Sequence, residues 1–309
     1  MSSSIISTWY SFTACCFPSP IIQLNRRVFK VIKLLGEGGF SFVYLVEDTS
    51  TRKLYALKKI RCPFGSENVK DAMKEVEMYK LFQHENIIKV VDTCIVKDKD
   101  GSRIVYIFLP YYKNGNLQDL INKNLTNGTN FSEKEILKLF RGICYAVPLQ
   151  ESNYNYNRNN NNYQQEDQLT DDILPFAHRD IKPGNILLSD DELPILMDFG
   201  SLVRARIKIT TRSQALLQKE LAEQHSTMPY RAPELFDVKT NTELNEKVDI
   251  WSLGCTLYAM AYGESPFETS INEGEGLKNL INQMLTVEPN DRPDIHKIIE
   301  LVDTLLEQA

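Results

Sequence analysis

Between residues 28 and 109 the apolar positions come in short runs of aliphatic, β-branched and aromatic residues, each closed by a polar or glycine-bearing turn. Residues 28–35, 42–47 and 54–60 are separated first by Gly36-Glu37-Gly38-Gly39 and then by Asp48-Thr49-Ser50, which predicts three antiparallel strands. Over residues 68–82 the period changes, with Val69, Ala72, Met73, Val76, Met78 and Tyr79 at roughly helical spacing. Residues 87–96 and 103–109 resume strand character, so the first part of the chain is expected as a five-stranded antiparallel sheet with one helix. After Tyr112 the pattern is mainly helical: 117–122, 133–149 (opened by Ser132 and Glu135 as a capping box), a short helix at 213–224 and an apolar, buried one at 248–262. The class is α+β, with a sheet lobe at 28–110 and a helical lobe at 113–305.

Two stretches lie outside this pattern. Residues 1–27 are Ser-rich, carry Trp9, Tyr10, Phe12 and Phe17 around Cys15-Cys16, and close on Pro18-Ser19-Pro20; they are expected as an extended arm ahead of a domain spanning 28–305. Residues 151–172 are an Asn-rich tract too poor in apolar surface to offset the entropy of ordering, and are expected as a disordered insertion dispensable for chemistry.

Composition narrows the class further. Lys and Arg total 35 against 41 Asp and Glu, a net charge of −6, which disfavours a nucleic-acid partner because that surface would be basic. Six cysteines at positions 15, 16, 62, 94, 144 and 255 include no C-x-x-C pair, which argues against a zinc site and a disulfide framework and fits a reducing compartment. No apolar run approaches the ~18 residues of a membrane span and no basic segment precedes an apolar one at the N-terminus, so a secreted or integral protein is not expected.

The chemistry is concentrated in His178-Arg179-Asp180-Ile181-Lys182-Pro183-Gly184-Asn185 and, 13 residues past that Asn, Asp198-Phe199-Gly200. Asp180 can accept a hydroxyl proton, Lys182 can stabilise a transferring phosphoryl group, and Asn185 and Asp198 are oxygen ligands suited to magnesium, with Gly200 expected to let the backbone reverse. Upstream, Gly36 to Val43 sits between two predicted strands, where residues without a Cβ let backbone amides reach phosphate oxygens; in isolation the same run also suits a plain hairpin. Lys58 lies in an apolar strand and needs an anionic partner, an ATP phosphate. Glu75 on the following helix would hold Lys58 as an ion pair, with Glu77 the alternative.

In this order the motifs resemble the eukaryotic protein kinase superfamily over residues 28–303, with Thr227-Met228-Pro229-Tyr230-Arg231-Ala232-Pro233-Glu234, Asp249-Ile250-Trp251-Ser252-Leu253-Gly254 and Arg292 completing the series. The resemblance implies a bilobal protein-kinase fold, ATP and magnesium as cofactors, protein substrates, and pairing of Arg292 with Glu234. It further implies a nucleotide site made by Leu35, Gly36, Glu37, Gly38, Gly39, Phe40, Ser41, Val43, Ala56, Lys58, Leu187, a gatekeeper Leu109, and a hinge from Pro110 to Tyr112. Lys182 with Thr227 in the activation segment looks like the serine/threonine class. More closely, Leu34 to Ser41, Leu81-Phe82-Gln83-His84, Leu196 to Ser201 and Tyr230 to Phe236 resemble the Numb-associated kinase family, in its serine/threonine kinase 16-like branch with fungal vacuolar-membrane relatives. The helix at 213–224 would be the extra activation-segment helix of that branch. The chain departs from the superfamily pattern in having Ser41 for the third loop glycine, nine residues between Phe267 and Leu277 where another helix is usual, and the Asn-rich insertion before His178.

The arm bears on location. With Ser2 in place of a glycine, myristoylation is closed, whereas Cys15-Cys16 among aromatic residues resembles the palmitoylation site of the fungal relatives, and two acyl chains suffice for stable anchoring. The expectation is a non-specific serine/threonine protein kinase on the cytoplasmic face of an internal membrane, the vacuole, acting in membrane trafficking or fusion. The alternative, a nucleotide-binding scaffold without activity, has no physical need for Lys58, Asp180, Asn185 and Asp198 together.

Overall fold

The computed structural model describes residues 20–38, 41–63, 66–98, 100–147, 175–266 and 275–308. Cys15, Cys16, Gly39, Phe40, the Asn-rich tract and the shortened segment from Phe267 to position 274 lie outside the described residues. The chain divides into two compact units, 1–113 and 114–309.

In the first unit, strands β1 (Ile21–Leu24), β2 (Arg27–Gly38), β3 (Ser41–Asp48), β4 (Leu54–Cys62), β5 (Asp92–Lys97) and β6 (Arg103–Pro110) form one antiparallel sheet in the order β1-β2-β3-β4-β6-β5, and helix α1 (Ser66–Leu81) lies between β4 and β5 in sequence. The sheet has six strands, one more than expected, because β1 falls in the stretch assigned to the arm. It joins β2 through Asn25 and Arg26, both at positive φ (46° and 62°), the backbone of a tight hairpin that normally signals itself by glycine. The Asn25 amide also donates to Asp92 and to the Thr93 carbonyl, tying this turn to β5. One sheet face carries a core of Phe29, Val31, Val46, Tyr55, Leu57, Ile104, Tyr106 and Phe108. The Phe29 ring lies 4.8 Å from Phe108 and edge-on to Tyr55 at 6.2 Å. The predicted strand at 87–96 begins only at Asp92; Ile87 makes an isolated bridge and Ile88 is irregular, and both are buried, so their apolar run reflects burial more than strand formation.

The second unit is mainly helical. Helix α2 (Leu117–Asn127) starts on an Asn116/Asp119 capping box and outruns its predicted end, stopping where Gly128 turns left-handed. Helix α3 (Glu133–Ala146) has the expected Ser132/Glu135 box but ends three residues early, because Val147 precedes Pro148, whose ring disfavours helical backbone before it, and is extended. Three two-stranded ribbons follow: β7 (Phe176–Ala177) with β10 (Val203–Arg204), β8 (Ile186–Leu188) with β9 (Pro194–Leu196), and β11 (Ile207–Ile209) with β12 (Thr242–Leu244). Helix α4 (Arg212–His225) lies between β11 and β12, and α5 (Lys247–Tyr262), α6 (Glu275–Met284) and α7 (Ile295–Gln308) complete the unit. Every residue of α5 from Val248 to Met260 is buried, as an apolar helix without a polar face must be. Gly254 lets α6 approach: a Cβ there would meet Met284 and Leu285 at 2.9 Å.

Candidate active site

The first unit carries the predicted nucleotide residues on its sheet. Strand register places Gly36, Val43, Lys58 and Ile107 in one cross-strand row and Leu45, Ala56 and Leu109 in the next row on the same face, two residues on. Val43 and Ala56 are half-buried and Leu109 is buried, an apolar surface suited to a flat base. Leu35 sits at the irregularity in the β2–β3 pairing, and Glu37 pairs with Phe42 one step before its end. Gly36 and Gly38 are extended rather than at positive φ, and a Cβ on Gly36 would meet nothing within 4 Å. Among the described residues neither turn geometry nor packing therefore requires Gly36; open space over the backbone is what a phosphate-bearing ligand needs. Ser41 donates to the Gly38 carbonyl at 3.3 Å.

Lys58 projects to the carboxylate of Glu75 on α1, with Nζ 2.8 Å from Oε1 and 3.0 Å from Oε2. The Tyr79 hydroxyl, one turn on, donates to Oε1 at 3.0 Å and fixes that carboxylate. Glu77, the alternative partner, is exposed. Pro110 ends β6 and Tyr112 follows it, its phenol pushed above the ordinary range by burial.

The second unit builds a polar cluster around Asp180. Its Oδ2 accepts from Lys182 Nζ and from Asn185 Nδ2, each at 2.9 Å, and its Oδ1 accepts from the backbone N–H of Thr227 at 2.8 Å. Lys182 Nζ also donates to the Thr227 hydroxyl at 2.6 Å. The Asn185 amide nitrogen donates a second bond, to the Asp180 carbonyl at 2.8 Å, which turns its oxygen the other way. The β8–β9 hairpin brings Asp198 to the same end: Ile186 pairs with Leu196, and the Met197 N–H donates to the Asn185 carbonyl at 2.9 Å. Leu187 lies on β8 between them in sequence and is partly buried. The backbone reversal predicted for Gly200 occurs instead at Asp198 (φ 65°, ψ 74°), which Asp tolerates better than most residues; Gly200 is part of a short 3₁₀ turn.

The loop bearing Asp180 is held from beneath. Asp249, fully buried on the first turn of α5, accepts the backbone N–H of His178 at 2.6 Å and of Arg179 at 2.8 Å. Burial pushes its carboxyl up, while His178, Arg179 and these N–H donors pull it back. His178 Nδ1 accepts the Asp180 N–H at 3.2 Å, so Nε2 carries the proton and donates to the Met197 carbonyl at 3.2 Å. One imidazole thereby links the strand end before Asp198 to the loop bearing Asp180.

The family described as the protein kinase domain matches residues 29–302. The chain belongs to the protein kinase family. It is similar to Serine/threonine-protein kinase ENV7 of Saccharomyces cerevisiae, 36% identical with 98% of this chain and 99% of the relative covered. Serine/threonine-protein kinase ppk13 of Schizosaccharomyces pombe is 33% identical with 98% of each chain covered, and Serine/threonine-protein kinase 16 of Homo sapiens is 34% identical over 96% of this chain and 95% of its own. This protein kinase is of the serine/threonine class, and its relatives match the branch that the motifs resembled.

The family's ion pair between Glu234 and Arg292 is present in bidentate form, at 2.7 and 2.8 Å. Two groups that hold these residues in place were missed in the sequence, Tyr79 and the role of Asp249, and so was the contact of Gln218, whose Oε1 accepts from Nη1 of Arg179 at 2.8 Å. A charged residue in the otherwise apolar run of α5 was a signal for Asp249, since a buried carboxylate must find donors. Nothing in the sequence marked Gln218, which is polar on a largely polar helix.

Proposed function

We propose that this kinase transfers the γ-phosphoryl group of ATP to Ser and Thr hydroxyls of proteins with Asp180 as the base. The observation that carries this reading is the three-donor clamp on the Asp180 carboxylate. Among the described residues Oδ1 receives only the Thr227 N–H and keeps a lone pair for a substrate proton, while Lys182 and Asn185 fix Oδ2. Lys182 carries a positive charge beside that position, where charge develops as phosphoryl leaves. Lys58, held by Glu75, supplies the cation for the nucleotide phosphates, and Val43, Ala56 and Leu109 the apolar surface for adenine.

Asn185 and Asp198 would hold magnesium, which would supply neutralisation of the negative charge on the phosphates. The donor set fits it: the oriented Asn185 oxygen and the Asp198 carboxylate are hard oxygen ligands at the end of one hairpin. The test is phosphate incorporation into a generic protein acceptor by wild type and D180A. Loss of at least ~100-fold in D180A is expected of a general base, and equal signal would leave the scaffold reading standing.

The reading extends to location: the kinase sits on the cytoplasmic face of an internal membrane, the vacuole, through acylation of Cys15 and Cys16. Its support is the paired thiols in an aromatic arm and the energetics of two acyl chains. Replacing both cysteines by Ser should move the protein from the membrane to the soluble fraction; unchanged sedimentation rules acylation out.

A further inference from the structure

Helix α4 enters the activation segment with a polar residue on its buried face. Ala215 and Ala222 on that face pack with Trp251 and Leu235, and Gln218 lies between them with 9% of its surface exposed. Its Oε1 accepts from Nη1 of Arg179 at 2.8 Å. Arg179 is 5% exposed, sits immediately before Asp180, and holds a left-handed backbone (φ 65°). Its Nε and Nη2 have no hydrogen-bond partner among the described residues. The neighbouring carboxylate, Asp249, spends both oxygens on backbone N–H groups. The neutral amide oxygen of Gln218 is thus the side-chain acceptor that meets this buried guanidinium, and burial lowers the Arg179 pKa accordingly.

The rest of α4 links the same helix to the next residue of the loop. Thr211 and Gln214 form a capping box at its start. At its end the Ser226 hydroxyl and carbonyl accept from Arg231 at 2.7 and 3.0 Å, and the Thr227 N–H then reaches Asp180. Arg179 and Asp180, adjacent in the chain, are therefore each bonded to the α4 segment, one at Gln218 and the other just past the helix end.

We infer that Gln218 is a positioning residue for the phosphoryl-transfer reaction: by accepting from Arg179 it seats α4 on the catalytic loop, and so fixes where Thr227 meets Asp180. The inference rests on the reading of Asp180 as the base. Its action is mechanical, through Arg179, and touches neither ATP nor the acceptor.

The experiment compares Q218M, which keeps length and removes the acceptor, with Q218E, which keeps the acceptor, in the full-length protein. Steady-state kinetics with ATP and a generic protein acceptor are read beside thermal unfolding. Q218M should lower kcat by roughly tenfold with the KM for ATP within about twofold, since misplacement of the base affects the chemical step. Q218E should retain at least about half of kcat. In an R179M background, Q218M should cost less than about twofold more, because the residue it acts through is gone. A wild-type kcat in Q218M, equal losses in Q218M and Q218E, or a further loss of about tenfold in the R179M background would each overturn the inference. Should Q218M not fold, Q218E and Q218A decide on the same criterion, with Q218A in place of Q218M. D180A in the same assay separates the two readings: activity retained there sinks the base assignment, whereas losses confined to D180A with Q218M unaffected sink only the role of Gln218.

Discussion

The backbone N–H of Thr227 donates to Asp180 Oδ1 across 47 residues of chain, while the Thr227 hydroxyl accepts from Lys182. One residue thus addresses both the Asp180 carboxylate and the ammonium of Lys182 beside it. T227V keeps the size and the N–H bond but removes the hydroxyl, leaving Lys182 with Asp180 alone. Its kcat should fall by about tenfold, one lost charge-assisted hydrogen bond, while T227S stays within about threefold of wild type. Steady-state kinetics on a protein acceptor distinguish them; equal effects of Val and Ser would show that the hydroxyl has no part.

The Lys58–Glu75 pair is partly enclosed, with side chains 14% and 6% exposed, and Tyr79 closes it. Removing one partner leaves the other charge with reduced solvation, so single substitutions should each cost more than the pair is worth. A double-mutant cycle of K58M and E75Q, read by urea unfolding, should give a coupling of about 1–3 kcal/mol. In kinetics, E75Q should raise the KM for ATP several-fold by releasing Lys58 from its place. Additive effects in both measurements would deny the coupling.

Arg292 is almost wholly buried, yet each of its nitrogens is satisfied. Beyond Glu234 it donates to the carbonyls of Thr286, Lys247 and Val287 at 2.7 to 2.9 Å and lies over the Trp251 ring at 5.1 Å. A planar five-donor group is required here, and an ammonium fills it poorly. R292K should lower the unfolding free energy by about 3 kcal/mol, with R292M at least as severe because it leaves Glu234 and three carbonyls without donors. A shift in the thermal midpoint of under about a degree would remove this pair from the forces holding the helical unit.

Sequence and structure agree most where local chemistry and long-range packing ask for the same residue. Lys58 was legible because an apolar strand does not carry an ammonium without a partner, and Asn185 and Asp198 because hard oxygen donors in short order after an Asp and a Lys form one chemical inventory; the hairpin that joins them was not. Residue 26 shows the opposite case: Arg adopts the left-handed turn that joins β1 to β2, held by Leu24 and Phe29 in the core and by the bonds of Asn25, its neighbour in the turn, to β5. The reversal beside the metal-ligand candidate falls on Asp198 and not Gly200 for a similar reason. His178 and the β8–β9 pairing hold the Met197 backbone at both its N–H and carbonyl, so the turn follows at once. Gln218 and Asp249 act on residues 39 and 70 positions distant, and no local pattern encodes such partners.

Asp48, at the end of β3, gives the first unit a defined acid response. Its Oδ1 accepts from the Ser50 hydroxyl at 2.6 Å and from the N–H groups of Ser50 and Thr51, and its Oδ2 from Arg27 Nε at 2.7 Å. The Ser50 hydroxyl first, with Arg27 and the backbone donors, holds the carboxyl well below the ordinary range against the opposing effect of burial. A carboxyl depressed in the folded state binds fewer protons than in the unfolded chain, where Asp titrates near ~3.9, so its contribution is fully present above that pH and is lost as pH falls towards the folded value. D48N should therefore be less stable than wild type at about pH 7, and the gap should narrow steadily on acidification below about pH 4. Urea midpoints of both proteins measured from neutral pH downward check this; a gap independent of pH would mean that Asp48 acts by shape and hydrogen bonding alone, without its charge.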